Sequence, residues 1–394
     1  MKKYTIYVVF LISNICFAQQ PPGVVINHLA KTTGKYVGSP AICVLPDGSY
    51  VASHDEFGPG SETEVIAVTR IFRSSDKGKK WDEIAVIRGI GWSNLFLHNN
   101  GLYSIGTAKG DGNLVICKSV DGGKTWTHPH NTETGVILEG EYHTAPMPVL
   151  IHNGRIWRTV EYSAGPSVKW GEKFSAMVIS APVDSDLLNA KNWRKSNYLM
   201  YRPDYLDGRF GGWLEGNPVV GPDGKIFNIL RVDTRNIRGL DEYAAMVEIG
   251  KNGKKIRFDP QTGFIKFPGG CKKFAIRYDV QTKLYWTISN VVAPKYKDIN
   301  VDERTRNVQV LSSSKDLKTW QMHSVLLHHP DVVKHGFQYV DFQFESDDII
   351  FVSRTAFNDE FGEADNCHNA NYFTFHRVPN FRELASIRLD INTI

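Results

Sequence analysis

The chain is poor in cysteine, in long apolar runs and in clustered charge, and each shortage removes a class of protein. Five cysteines in 394 residues are too few for a disulfide scaffold. Cys16 falls in the leader described below. Cys43 and Cys117 sit in alternating apolar runs and are expected to be buried thiols, whereas Cys271 and Cys367 lie near loops and could pair in an oxidising compartment. No CxxC or HExxH pattern is present, so no zinc motif is expected, and no cofactor is predicted; a structural ion is left open. Past residue 20 no stretch reaches the roughly 18 apolar residues of a membrane span. Lysines and arginines are scattered and the net charge is only +4, which argues against nucleic acid as a partner. Long runs of helical periodicity are missing as well.

What is present starts with a leader. Lys2 and Lys3 precede an apolar stretch at 4–17, and Ala18 ends it. This reads as a cleaved secretory signal over 1–18, leaving 19–394 as one domain in the periplasm or outside the cell.

That domain reads as all-β. Aromatics make up 12% of the chain, and short alternating runs are punctuated by Pro-Asp-Gly, Asn-Gly and Asp-Gly turns. Six hairpins are expected at 41–54, 95–106, 146–160, 218–230, 274–289 and 340–353. Each is followed by a second hairpin marked by an aromatic: Trp81, Trp126, Trp193, Phe258, Trp320 and Phe381. Two hairpins make a four-stranded antiparallel unit, and a repeat of such units predicts a β-propeller. The count gives six blades. The terminal segments 24–35 and 385–394 either close the ring or form a seventh.

Three turns carry one motif. Ser119-Val120-Asp121-Gly122-Gly123-Lys124-Thr125-Trp126 is a full Asp box, S-x-D-x-G-x-T-W. Ser74 to Trp81 matches with Lys80 in place of Thr, and Ser313 to Trp320 is a degraded copy. The Asp accepts backbone N–H groups inside a tight turn, Gly permits positive φ, and Trp packs between sheets. These residues are expected to hold turns and not to catalyse.

Strand order then locates a site. The Asp boxes and Pro-Asp-Gly turns share one rim, so second-strand ends and innermost-strand starts share the other. That rim is expected to carry His54, Arg231, Asn290 and Arg354 from second strands. Innermost starts add Asn94, His143, Trp213, Glu215, Asn217 and Tyr339, and the last loop adds His368. Tyr205 and Arg209 lie in an insert at 201–212. Arginine pairs with carboxylates in a fork, tryptophan stacks on a sugar face and asparagine reads hydroxyls, so the expected ligand is an acidic oligosaccharide. Structural roles compete: His54 or His143 as satisfied buried groups, Arg231 and Arg354 paired with Asp233 and Asp341, Glu215 as a sheet link, Trp213 as packing. A monomer is expected.

The Asp boxes and leader resemble the sialidase superfamily. Its members carry an Arg-Ile-Pro segment on the first blade, an arginine triad and a Tyr–Glu nucleophile pair. Here the corresponding stretch, Gly38-Ser39-Pro40-Ala41-Ile42, has no arginine. A closer resemblance rests on segments 38–59, 141–158 (with EYHTAP), 211–220 (GGWLEGNPVV), 336–344 (GFQYVDFQF) and 353–377. They are similar to propellers of Bacteroidetes polysaccharide utilisation: ulvan lyases, an ulvan-oligosaccharide dehydratase and rhamnosidases acting on glucuronate-linked rhamnose. That group is usually seven-bladed. The resemblance implies catalytic roles for His143 and His54. The leading expectation is β-elimination on a uronic acid. Arg231 or Arg354 would neutralise the carboxylate, His143 or a tyrosine such as Tyr339 would take the C5 proton, and His54 would protonate the leaving oxygen. The product would be a 4,5-unsaturated uronate, made by a dehydratase or lyase. The alternatives are an exo-acting glycoside hydrolase, rhamnosidase-like or sialidase-like, and a sugar-binding propeller without catalysis.

Overall fold

The computed structural model describes residues 20–394 apart from 164, 166 and 235–241. The expected leader therefore lies outside the described residues. Among those residues the strands form five antiparallel sheets arranged as a β-propeller. All six expected first hairpins are present. Ala41–Val44 pairs with Tyr50–Phe57, Gly91–His98 with Gly101–Thr107, and Leu150–His152 with Arg155–Tyr162. Further along, Gly212–Val220 pairs with Ile226–Asp233, Ala275–Asp279 with Leu284–Asn290, and Gly336–Glu345 with Asp348–Ala356.

The sheets are fewer than the hairpin sets for a local reason. At the end of Val136–His143, Tyr142 and His143 pair with Tyr162 and Glu161. That short ladder fuses two sets of strands into one eight-stranded sheet. Most innermost strands meet the next in ring order, and the last, Gly336–Glu345, returns to the first, Ala41–Val44. Closure is also made by hydrogen bonds. Val24–His28 joins Tyr372–Val378 as the outer strand of the C-terminal sheet. Segment 385–394 adds no strand; its short 3-10 turns cover the neighbouring sheet, where Leu389 N–H donates to the Met322 carbonyl.

Alternation along the strands puts apolar side chains on both faces of each sheet, which a single sheet cannot bury alone. Ile42, Tyr50, Ala52 and Phe72 of the first sheet pack on Ile350, Val352, Phe373 and Phe375 of the last. Each buried Ile, Val or Phe among them contributes roughly 1.5–3 kcal/mol.

The three Ser-x-Asp turns share one hydrogen-bond scheme. Asp121 accepts from Lys124 N–H and Thr125 N–H, both at 3.0 Å, and from the hydroxyls of Ser119 and Thr125 at 2.8 and 2.7 Å. Trp126 Nε1 donates to the Gly123 carbonyl at 2.8 Å. Asp76 repeats the scheme, and Gly78 there has φ 87° with a Cβ position only 2.3 Å from Phe375. In the third turn Ser314, not Ser313, takes the serine role: its Oγ bonds Asp316 and receives Leu317 N–H. This turn is one residue shorter, so Leu317 occupies the left-handed region at φ 66°.

The four cysteines 43, 117, 271 and 367 are all free and buried. Cys271 and Cys367 do not pair. Cys271 Sγ faces Glu242, and Cys367 Sγ faces the Arg304 carbonyl at 2.9 Å.

Candidate active site

The rim opposite the Ser-x-Asp turns opens into a pocket of about 240 Å³. Its walls carry Glu215, Glu303, four arginines (231, 304, 306 and 354), Tyr339, His143, His368, Phe57, Trp92 and Trp170. Three of its groups, each from a different sheet, are placed by the same backbone device. Near the start of an innermost strand, a bulge inserts one extra residue, and that residue takes positive φ. The bulges span Gly91/Asn94, Leu214/Asn217 and Gln338/Asp341. The extra residues are Trp92 (φ 48°), Glu215 (φ 53°) and Tyr339 (φ 57°). Large side chains tolerate this region only at a cost of order 1–3 kcal/mol, and such strain gathers at functional sites. The bulge re-aims a side chain out of the pleat toward the axis.

Tyr339 and Glu215 meet across the ring. Tyr339 Oη donates to Glu215 Oε1 at 2.8 Å, and Glu215 Oε2 accepts from Arg231 Nη1 at 3.0 Å. Arg231 also donates through Nε to the Cys271 carbonyl at 2.9 Å and lies 3.5 Å from Glu303. Glu215, Arg231 and Glu303 are buried, Glu215 at 2% exposure, and Tyr339 is half-buried. Burial opposes ionisation of Glu215, but the charge of Arg231 and the Tyr339 hydrogen bond outweigh it, holding its carboxyl below the usual range. Burial likewise opposes the charge of Arg231, and Glu215 with its neighbours overcomes it, keeping the guanidinium well above its ordinary value.

Arg354 and Arg306 are built differently. Arg354 lies 4.7 Å from the Tyr339 ring centre and 4.5 Å from that of Phe57. Its Nε and Nη2 donate to the His368 carbonyl at 3.1 and 2.6 Å, and among the described residues it forms no salt bridge. Arg306 donates to the Glu303 carbonyl and to Gln338 and forms none either. Burial without an anion pushes Arg354 down to about 9 and lowers Arg306 as well. Two buried guanidinium groups without carboxylate partners are a receptor for an anion.

His143 faces the same space. Its Nδ1 contacts Glu161 Oε2 at 3.0 Å, and its ring stacks on Phe174 and meets Trp170 edge-on. Glu161 thereby orients the ring and leaves Nε2 for a ligand. Burial raises the Glu161 carboxyl, with His143 working against that rise. Arg158 fixes the next turn of chain through Thr144 Oγ1 and the Ala145 carbonyl at 2.8 and 2.6 Å.

Of the expected site residues, His143, Arg231, Tyr339, Arg354, Glu215 and His368 come together in the pocket. His54 does not. It is fully buried, with Nε2 on Asn27 Nδ2 and Nδ1 on the Asp55 carbonyl, both at 2.9 Å. Burial lowers it to about 4, the signature of a neutral structural histidine. Trp213 belongs to an apolar core and donates to the Met200 carbonyl. Tyr205 packs among Phe210, Trp213, Phe258 and Phe264. Arg209 is exposed and pairs with Asp207. Asn94 bonds the Leu95 carbonyl, and Asn290 bonds three carbonyls, of Arg306, Val308 and Phe337.

Asn217 explains the asparagine errors best. Its Oδ1 accepts Ile276 N–H from the next sheet at 3.0 Å. Asp341, at the matching place in the C-terminal sheet, accepts Ile42 N–H from the first sheet at 3.0 Å. These residues staple one innermost strand to the next, so they face protein and not ligand.

Sequence reasoning missed Phe57, Trp170, Glu303, Arg304 and Arg306. The signal available was the dense charge of Asp302-Glu303-Arg304-Thr305-Arg306 between two strands, on a loop that strand order sends to this rim.

No family model matches the chain, and no curated protein matches it. Solved structures do. An α-L-arabinanase of Penicillium chrysogenum complexed with arabinobiose is similar at TM-score 0.55 and 14% identity, over 93% of this chain and 98% of that one. A Trypanosoma rangeli sialidase in complex with 2,3-difluorosialic acid, a covalent intermediate, is similar at TM-score 0.55 and 13% identity, over 89% of this chain and 55% of that one. A Dyadobacter fermentans protein of unknown function reaches TM-score 0.58 at 15% identity, over 93% and 100%. At these identities the likeness is one of fold: a propeller shared with carbohydrate-acting enzymes, most of them glycoside hydrolases.

Proposed function

We propose that the chain is an exo-acting glycoside hydrolase that removes one acidic sugar from a chain end, by way of a covalent intermediate on Tyr339. The observation that carries this reading is the half-buried Tyr339–Glu215 hydrogen bond at 2.8 Å, set in a pocket lined by Arg231, Arg306 and Arg354. A phenol is a weak nucleophile until a base takes its proton, and Glu215 is in place to do so. A neutral nucleophile also suits an anomeric centre beside a carboxylate, which would repel a carboxylate nucleophile.

In the first step Tyr339 Oη attacks the anomeric carbon and passes its proton to Glu215. His143, held by Glu161, protonates the departing glycosidic oxygen as the C–O bond breaks. Water then attacks the same carbon, giving its proton to His143, while Glu215 returns a proton to Tyr339. Arg354 and Arg306 hold the sugar's anionic group. The pocket of about 240 Å³ lies below the roughly 300–1,000 Å³ of common ligand sites, which favours a single terminal ring.

Two solved neighbours support this over the elimination expected from sequence, since one is an arabinanase and the other a sialidase captured as a covalent intermediate. Elimination would also leave the Glu215 carboxylate without a chemical part. We read the eight-stranded sheet as two blades, giving six, and the Ser-x-Asp turns as Asp boxes. We read residues 1–18 as a secretory signal, which would put the enzyme in the periplasm or outside the cell.

The test is a panel of aryl glycosides of sialic acid, glucuronic acid, rhamnose and arabinose. An acidic member should release its aglycone with the anomeric configuration retained, and a fluorinated analogue should label Tyr339. A 4,5-unsaturated uronate absorbing in the ultraviolet, with no free sugar, would replace hydrolysis by elimination.

A further inference from the structure

Behind the pocket wall lies a second cluster that the proposed hydrolysis does not use. The loop between Trp320–His328 and Gly336–Glu345 carries His329, Asp331 and His335. One ligand atom from each lies within 4.8 Å of the others. Asp331 is fixed by two backbone donors, Val333 N–H at 2.8 Å and Lys334 N–H at 3.1 Å. Its Oδ2 also holds His335 Nδ1 at 2.7 Å. That bond selects the tautomer with the lone pair on Nε2. His335 is 3% exposed, and its Nε2 is buried with no hydrogen-bond partner among the described residues. A buried imidazole nitrogen in that condition is unfavourable unless something occupies it. The His329 ring stacks on His335 at 3.6 Å, and Phe357 closes one side of the pair.

We propose that His329, Asp331 and His335 bind one divalent transition-metal ion of the Zn²⁺ type. Two imidazoles and a carboxylate are a donor set for such an ion, and too nitrogen-rich for Ca²⁺ or Mg²⁺. Binding turns the two rings out of their stack so that both nitrogens converge on the ion. The Asp331 carboxylate serves as the third ligand.

The position gives the ion a purpose. Asn307 clamps this loop, its Nδ2 donating to the His329 carbonyl at 2.7 Å while His329 N–H donates to the Asn307 carbonyl. Asn307 directly follows Arg306, whose carbonyl receives Phe337 N–H at 3.0 Å. The strand beyond leads to the strained Tyr339. An ion here fixes the loop joining Arg306 to Tyr339, and acts as a structural brace outside the pocket.

The test uses the full chain freed of metal with a chelator and titrated with Zn²⁺ in a calorimeter. One ion per chain should bind, raising the melting temperature. His329→Gln and His335→Gln, each checked for folding by near-ultraviolet circular dichroism, should weaken binding tenfold or more, while His328→Gln should not. Absence of Zn²⁺ binding by the parent chain, or equal binding by both variants, overturns the proposal. If the variants fail to fold, Co²⁺ added to the parent chain decides. Paramagnetically shifted signals from two imidazole N–H protons are expected, and their absence overturns the site. Neither readout depends on glycosidase activity, so failure of this site and failure of the hydrolase reading are separable.

Discussion

The two rims of the propeller use carboxylates in opposite ways. At the Ser-x-Asp turns, Asp121 is satisfied by its own turn: donors two to four residues away surround it, at the protein surface. At the pocket, Glu215 is satisfied by groups 16 and 124 residues away, Arg231 and Tyr339, and is buried. The Asp121 arrangement therefore closes within a sequence window, whereas the Glu215 arrangement exists only when separate sheets have assembled. Removing the first should cost a little stability and no activity. Removing the second should do the reverse.

The largest effect is expected for Tyr339→Phe and Glu215→Gln. Each should lower kcat by about 10³-fold or more in a chain that still folds, because both belong to one nucleophilic unit. A loss below tenfold would break the comparison at its centre. Next comes Arg354→Met, which should raise KM for an acidic sugar by roughly ten- to a hundredfold, the range of a charge-assisted hydrogen-bonding contact. A neutral sugar, if turned over, should be little affected. An equal loss on both would make Arg354 a packing residue.

His54 sharpens the contrast. His54→Gln should leave kcat within a few-fold and reduce stability by about 1–3 kcal/mol through its two lost hydrogen bonds. Its folded value, about 4, lies below the ordinary 6.5 of the unfolded chain. Its contribution is therefore complete above pH 6.5 and lost as pH falls from 6.5 through about 4. Unfolding midpoints in urea should show that acid slope in the parent and less of it in the variant. His376, lowered to about 3 by burial, contributes with the same sign. A collapse of kcat in folded His54→Gln would return this histidine to the chemistry.

The smallest effect belongs to Asp121→Asn. Its carboxyl is lowered to about 2, first by the Thr125 hydroxyl and N–H. The stabilising effect is present above the usual value near 3.8 and disappears as pH falls through about 2. A melting-temperature difference of a few degrees at pH 6 should shrink toward pH 2. An effect on kcat would contradict the division between rims.

Much of this was legible in the chain. Pro46-Asp47-Gly48 and Asn153-Gly154 marked hairpins because only certain residues make those turns, and the Ser-x-Asp pattern is a local hydrogen-bond scheme written in sequence. Strand order then sent His143, Arg231, Tyr339 and Arg354 to one rim. What failed was the direction of individual side chains. Asn217 and Glu215 lie two apart near the start of one strand and were read alike, yet one staples the next sheet and the other enters the pocket.

Local alternation and turn chemistry thus determined the strands, their pairing and the rim that carries the arginines, since these depend on neighbours in the chain. Only the closed ring decided that Glu215 meets Tyr339 and Arg231, that His54 is sealed away, and that Arg354 finds no carboxylate among the described residues. Those facts depend on bulges that turn single residues toward the axis and on distances between sheets, and neither leaves a periodic trace in sequence.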